Sequence, residues 1–305
     1  MYDLIIVGGG PGGVAAGIYA ARKKIKTLLI TDGFGGQSLV SGEIKNWIGT
    51  KSVSGFEFGK MLEEHLRAQE GIEIIGDGLV VETKKTKDGF EIKTRKGGDF
   101  MTKYVLIALG SRRKKLGIPG EKEFDGKGVV YCSTCDAPIF KDKVVAVVGG
   151  GNASLEAVHD AIPYASKIYL LVRSDASKGD PVTLEKVKND PKVEIITNAL
   201  AQEIFGKEFV TGLRYLDKTS GQTKDLNLDG VFVEVGSMPN SDPVKELVKL
   251  NEKGEIVVDP KTQATSLEGI WAVGDATDAP YRQNNISAGD AVKAVLNIYE
   301  HIRKH

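Results

Sequence analysis

The sequence predicts an α/β fold made of two Rossmann-like, three-layer nucleotide-binding domains. Two glycine-rich turns predict it, each set between a short apolar strand and a helix, one near the start of the chain and one midway along it. A length of 305 residues leaves room for about two domains.

The first unit opens with Met1 to Val7, read as a strand around Leu4-Ile5-Ile6-Val7. It runs into Gly8-Gly9-Gly10-Pro11-Gly12-Gly13, then an Ala-rich helix from about Val14 to Lys24 and a strand from Thr27 to Ile30. Gly8, Gly10 and Gly13 fit G-x-G-x-x-G. The first permits the tight turn, the second lets a pyrophosphate approach the backbone, and the third lets helix and strand pack closely. The helix start offers free N–H groups to the phosphates. The plan recurs with a strand at Lys143–Val148, the turn Gly149-Gly150-Gly151-Asn152-Ala153-Ser154, a helix from about Leu155 and a strand at Ile168–Val172. Gly149 and Gly151 match, and Ser154 takes the third glycine's place. Two such motifs in one chain point to electron transfer between two dinucleotide cofactors, a flavin and a nicotinamide.

Strands are also expected at Ile72–Ile75, Leu79–Thr83, Phe90–Thr94 and Tyr104–Ala108, and later at Val193–Thr197, Val210–Tyr215, Gly230–Val235 and Glu255–Val258. The chain closes with Gly269–Asp275 and a helix from about Ser287 to His301. Glycine and proline place the domain joints at Gly117–Gly126 and Gly236–Asn240. The basic run Arg112–Lys115 at the first joint reads as a solvated face. Trp47 and Trp271 read as core or flavin-adjacent packing, and His159 as structural.

Composition excludes several classes. Basic and acidic residues balance at 41 each, which argues against nucleic acid and against a polybasic membrane surface. No run of about 18 apolar residues marks a membrane span. No signal peptide is read at the N-terminus, so the expected location is the cytoplasm, where a persistent structural disulfide is disfavoured.

Only two cysteines occur, and they stand together as Cys132-Ser133-Thr134-Cys135-Asp136. A pair at this spacing closes a small disulfide ring: one thiolate attacks a partner's disulfide and the other resolves the mixed disulfide. A structural zinc site needs four ligands, and His65, His159, His301 and His305 show no finger-like spacing, so no metal is expected. Asp136 is the proton-donor choice for a leaving thiolate.

Taken together, these residues resemble the low-molecular-weight thioredoxin reductase family, including the C-terminal portion of alkyl hydroperoxide reductase flavoproteins. The resemblance runs through the first glycine motif, Gly35-Gly36-Gln37, Asn46-Trp47, the cysteine pair, the second motif through Ser154, Gly274-Asp275 and Arg282-Gln283. It implies FAD on a discontinuous domain, residues 1–113 and 239–305, with a nicotinamide-binding domain at 114–238 inserted in it. It also implies that Gly36, Gln37, Asn46, Gly110, Asp275, Arg282 and Gln283 line the FAD, beside Gly8, Gly10, Pro11, Gly12, Gly13 and Gly274. Leu109 stands where the family usually has threonine. Gly149, Gly151, Asn152 and Ser154 would face the second coenzyme. Cys135 would face the flavin and Cys132 the partner, with the inserted domain rotating between the two tasks. A homodimer is implied as well.

The strand ending Leu170-Leu171-Val172 carries no acid to bind a ribose 2′-hydroxyl. Arg173 matches a phosphate-binding arginine of NADPH-using relatives, while Ser174 and Lys178 replace two others. The reading therefore favours NADPH over NADH. The expected partner is thioredoxin or a glutaredoxin-like protein. Ala137-Pro138-Ile139-Phe140 departs from the glycine and aromatic pair with which many thioredoxin reductases dock thioredoxin. A ferredoxin-driven thioredoxin reductase, a dithiol oxidase and a non-catalytic flavin-binding redox sensor are the alternatives.

Overall fold

The structure, a computed structural model, describes all residues except Gly42, Glu43 and His305, with the side chains of Val40, Thr134 and Cys135 also outside the description. Its contacts divide the chain into one unit of residues 1–112 and 238–305 and a second of residues 113–237.

The first unit begins with β1 (Tyr2–Gly9), α1 (Pro11–Arg22), β2 (Thr27–Phe34), α2 (Gly55–Arg67), β3 (Ile72–Ile75), β4 (Val80–Thr86), β5 (Gly89–Thr94), β6 (Asp99–Ile107) and β7 (Ser111–Arg113). Strand β1 is central because Leu4 to Val7 are apolar without a break and fully buried. A strand covered on both faces needs no polar side. It pairs in parallel with β2 and β6, and β2 with β3. The hairpin β4–β5, closed by the turn Lys87-Asp88-Gly89, joins β6 antiparallel through β5. The two faces of the sheet carry separate cores. Leu4, Ile6, Leu29 and Leu106 pack with α1 and α2, while Ile5, Val7, Leu28 and Ile30 pack with Phe90 and Ile92. This is the period-2 alternation of strand side chains.

The second unit contains β8 (Val129–Val130), α3 (Ser133–Asp136), β9 (Val144–Val148), α4 (Asn152–Ala161), β10 (Lys167–Leu171), α5 (Pro181–Lys188), β11 (Val193–Ile196), β12 (Ala199–Gly206), β13 (Val210–Asp217), β14 (Gln222–Asn227) and β15 (Gly230–Val233). A parallel sheet in the order β11-β10-β9-β15-β8 is its centre, and β12-β13-β14 form a separate antiparallel sheet. Val145, Val147, Ile168 and Leu170 pack with Leu155, Val158 and Val187, while Ala146, Val148 and Val231 pack with Ile204, Leu213 and Tyr215. Helices, parallel sheet and antiparallel sheet make three layers.

The chain then returns to the first unit through β16 (Ser237–Pro239), β17 (Ile270–Ala272) and α6 (Asn284–Lys304). Strand β17 pairs with the end of β6 at Val105–Ile107, beyond the stretch Asp99–Thr102 used by β5, so two partners share one edge of β6. Helix α6 packs on α1. Trp271 is buried there, its Nε1–H donating to Asn297 Oδ1 at 3.0 Å and its ring set edge-on to Tyr104 and His301. Trp47 meets Phe58 edge-on. The short strands β7 and β16, where the chain crosses between units, form a two-stranded sheet.

The structure corrects two expectations. Gly117–Gly126 is not a joint, because it lies inside the second unit. Its turn is fixed by the buried Glu121 carboxylate, which accepts from the backbone N–H groups of Leu116 and Gly117 at 2.8 and 2.7 Å and from the Tyr131 hydroxyl at 3.1 Å. Glu255–Val258 is not a strand but two isolated bridges at Ile256. The basic run is a solvated face, as expected, with Arg112, Lys114 and Lys115 exposed and with ion pairs from Arg112 to Asp242 at 3.1 Å, Arg113 to Glu234 at 2.7 Å and Lys115 to Asp125 at 2.8 Å. The expectations also omit α2, α5, β12 and β14.

Candidate functional site

In the first unit the glycine turn sits at the C-terminal end of β1, where parallel sheets hold ligands. Gly8 has φ +117°, a conformation that favours glycine. A side chain at Gly13 would fall on the Gly8 carbonyl oxygen, so this glycine serves packing and does not line the cavity. A Cβ on Gly10 would meet nothing within 4 Å, which leaves its backbone open to a ligand. Pro11 begins α1, whose N-terminus carries no side-chain cap, so its N–H groups point at the same space.

A cavity of about 420 Å³ follows, lined by Gly8, Gly10, Pro11 and Gly12 at one end and by Asp275, Arg282 and Gln283 at the other. Gly36, Gln37, Gly110 and Gly274 also line it. Asn46 lines an adjoining cavity of about 510 Å³ that shares Gln37, Asp275, Arg282 and Gln283. Its Nδ2–H donates to Gln283 Oε1 at 3.0 Å. The glycine turn, the uncapped helix start and the open Gly10 backbone fit the pyrophosphate of an FAD. The second cavity leaves space for a ring system beyond it. Burial raises the Asp275 carboxyl above its usual range, against the pull of Arg282 and a hydrogen bond from Ser111.

Sequence reasoning missed lining residues. Asp32, after the buried run of β2, lines the cavity. An acid about 20 residues past the glycine motif is the standard partner of a ribose hydroxyl, and that signal was present in the sequence. Asn240 and Ser287 line the cavity too, and nothing local to them announces it.

In the second unit three parallel strands end together. Cys132 follows β8, Glu234 follows β15 and Gly149 follows β9. A Cβ on Gly149 would fall on the Glu234 carbonyl oxygen, whereas Gly151 is open within 4 Å. Ser154 is buried and its hydroxyl donates to Gly151 O at 2.7 Å, inside the first turn of α4. The Asn152 side chain is turned to the following loop, accepting from Asp180 N at 2.7 Å. That loop folds over the turn, with Lys178 N donating to Gly150 O at 2.7 Å. Arg173 and Lys178 are exposed beside it. The backbone at Gly151 and the uncapped start of α4 fit a second dinucleotide.

Cys132 is disulfide-bonded and caps the short helix α3, which holds the backbone of Cys135. The Cys135 side chain lies outside the described residues. Ser133 Oγ donates to Asp160 Oδ2 at 2.8 Å, fastening α3 to α4. Burial raises the Asp136 carboxyl, with the Cys132 backbone N–H opposing. Glu234, which sequence reasoning passed over, is a lone acid in an apolar run; burial pushes it up to about 7 against the Arg113 guanidinium. Among the described residues no helix is long and apolar enough to cross a membrane.

Residues 2–294 match the family described as pyridine nucleotide-disulphide oxidoreductase, which implies a flavin and a pyridine nucleotide. The chain is 40% identical to an alkyl hydroperoxide reductase subunit of Pseudomonas aeruginosa, over 99% of its own length and 58% of that protein's. It thus spans under two thirds of the curated relatives it matches. Among solved structures, the thioredoxin reductase of Lactococcus lactis superposes with a TM-score of 0.85 at 30% identity, each chain covered completely. That of T. acidophilum superposes at 0.82 with 35% identity, each chain covered to 99%.

Proposed function

This chain belongs to the pyridine nucleotide-disulphide oxidoreductase family, and on that premise we propose that it is a flavin-dependent disulfide reductase. It draws electrons from NAD(P)H, passes them through FAD in the 1–112/238–305 unit to the Cys132–Cys135 disulfide, and delivers them to thioredoxin or a thioredoxin-like protein. The supporting observation is the shared sheet end in the 113–237 unit, where Cys132 follows β8 and the Gly149–Gly151 turn follows β9, two parallel strands with only β15 between them.

When bound, FAD and NAD(P)H supply hydride transfer and two-electron reduction of a disulfide. The chain's own residues do the rest. The reduced Cys132 thiolate attacks a sulfur of the partner's disulfide; that S–S bond breaks and a mixed disulfide forms. Cys135 then attacks Cys132 Sγ, which closes the Cys132–Cys135 bond again and releases the partner as a dithiol. Each turnover consumes one NAD(P)H and one proton and converts one partner disulfide into two thiols. Asp136 protonates the leaving thiolate, and its burial raises the carboxyl and so favours the protonated form a donor needs. Because one disulfide cannot face a flavin and a protein at once, the reading includes rotation of the 113–237 unit. NADPH is the favoured coenzyme, on the two exposed cations Arg173 and Lys178. A homodimer belongs to the same reading.

The test is anaerobic. NADPH, NADH and reduced ferredoxin are each offered to the flavin-loaded protein, and the reduced enzyme is then re-oxidised with thioredoxin or with oxygen. The expected result is bleaching of the flavin by NADPH and re-oxidation by thioredoxin. Bleaching by ferredoxin alone, or re-oxidation by oxygen alone, overturns the donor or the acceptor. Cys135→Ser should keep flavin bleaching and lose thioredoxin reduction.

A further inference from the structure

We propose that Glu255 is a positioning residue that holds Arg282 at the flavin end of the first unit's cavity and, by offsetting its charge, sets the reduction potential of the flavin. The proposal rests on the FAD reading above and goes beyond it. The cavity has a polarity. Its glycine turn is the place for the pyrophosphate, and Asp32 the place for the adenosine ribose. The opposite end, where Asp275, Arg282 and Gln283 line both cavities, is left for the redox ring.

Among the described residues Arg282 is the cation that lines both cavities, Lys45 lining the second alone, and Arg282 is held there. Its Nη2 lies 2.6 Å from Glu255 Oε1, and the Glu255 side chain is only 10% exposed. The second Glu255 oxygen accepts from Asn251 Nδ2 at 2.6 Å, while Asn251 Oδ1 accepts from the backbone N–H of Glu255 at 3.0 Å. The acid is therefore locked in its own turn and points at one partner. It is a buried charge that no step of the disulfide chemistry uses. A buried acid left in place against an arginine does two things: it fixes the guanidinium direction, and it cancels much of its field. Charge near the flavin ring tunes the cofactor's electronics. With Glu255 neutral, Arg282 would present its full charge to the anionic reduced ring and favour reduction.

The experiment measures the midpoint potential of the bound flavin in the holoenzyme, by anaerobic equilibration with dyes of known potential. Glu255→Gln should shift the two-electron reduction equilibrium toward the reduced form by about tenfold, or about 30 mV less negative. Arg282→Met should shift it the opposite way, and Glu255→Asp should keep the wild-type value. An unchanged potential in Glu255→Gln, or shifts of one sign in both Glu255→Gln and Arg282→Met, overturns the proposal while the FAD reading stands. Wild-type protein that binds no added FAD overturns that reading and the proposal with it. If Glu255→Gln does not fold, Arg282→Met decides: a more negative potential supports the role, and an unchanged or less negative one overturns it.

Discussion

The two units solve the same problem at their glycine turns with different third residues. In the first, Gly13 sits so close to the Gly8 carbonyl that no side chain fits. In the second, Ser154 occupies the corresponding place, buried, with its hydroxyl bonded to Gly151 O. Both units keep a tight approach at the first glycine, Gly8 against the Ala108 carbonyl oxygen and Gly149 against that of Glu234, so the difference is confined to the third position. The comparison shows that the motif's third position is a local steric requirement, to be judged by which backbone stands over it.

The sharpest way to break this comparison is substitution at the third position. Gly13→Ala should destabilise the first unit by about 3 kcal/mol or more, because backbone must move. Ser154→Gly should cost under about 1 kcal/mol, the usual price of a helical glycine. Chemical denaturation and flavin content of the purified proteins check both, and equal losses would sink the distinction.

A second difference is electrostatic. The second unit buries Glu234 beside its turn, and its carboxyl is raised from 4.5 to about 7. A raised folded pKa means the protonated acid suits the fold, so its stabilisation is full below the unfolded value and fades as pH rises through the folded one. Relative to Glu234→Gln, the wild type should lose on the order of 3 kcal/mol of stability between pH 4.5 and just above 7. Denaturation of both proteins across that range tests it; parallel curves would refute it.

The strand ends after the two turns also carry opposite charge: Asp32 in the first unit, Arg173 and Lys178 in the second. Asp32→Ala should weaken FAD binding by about 1.5–3 kcal/mol, roughly ten- to hundredfold, measured by flavin fluorescence titration. Arg173→Ala and Lys178→Ala should each raise the KM for NADPH about five- to tenfold and leave NADH unaffected. Equal effects on both coenzymes would remove the 2′-phosphate assignment.

These contrasts also show what the sequence could carry. Strands β1, β9 and β10 were legible because each is a continuous apolar run in a parallel sheet covered on both faces. Helix α2 was equally marked, by the capping box at Ser54 and Glu57 and by buried Phe58, Leu62 and Leu66, yet it sits in no motif and was passed over. Strand β14 was not legible: Gln222–Asn227 is polar and almost wholly exposed at the edge of its sheet. In the site, the glycine turns announce themselves by spacing. Asn240 and Ser287 do not, since only the return of the chain to the first sheet brings them to the cavity.

That return sets an order of assembly. Strand β17, Asp275, Arg282 and α6 all follow the complete 113–237 unit along the chain. On a ribosome adding about 5–20 residues per second, the later unit in the sheet plan is the earlier one to finish. The first unit must wait for several seconds with one stretch of the β6 edge unpaired and one wall of its cavity missing. Flavin capture therefore waits for the chain through α6, and a nascent chain stalled before β17 would carry an open sheet edge and no complete cofactor site.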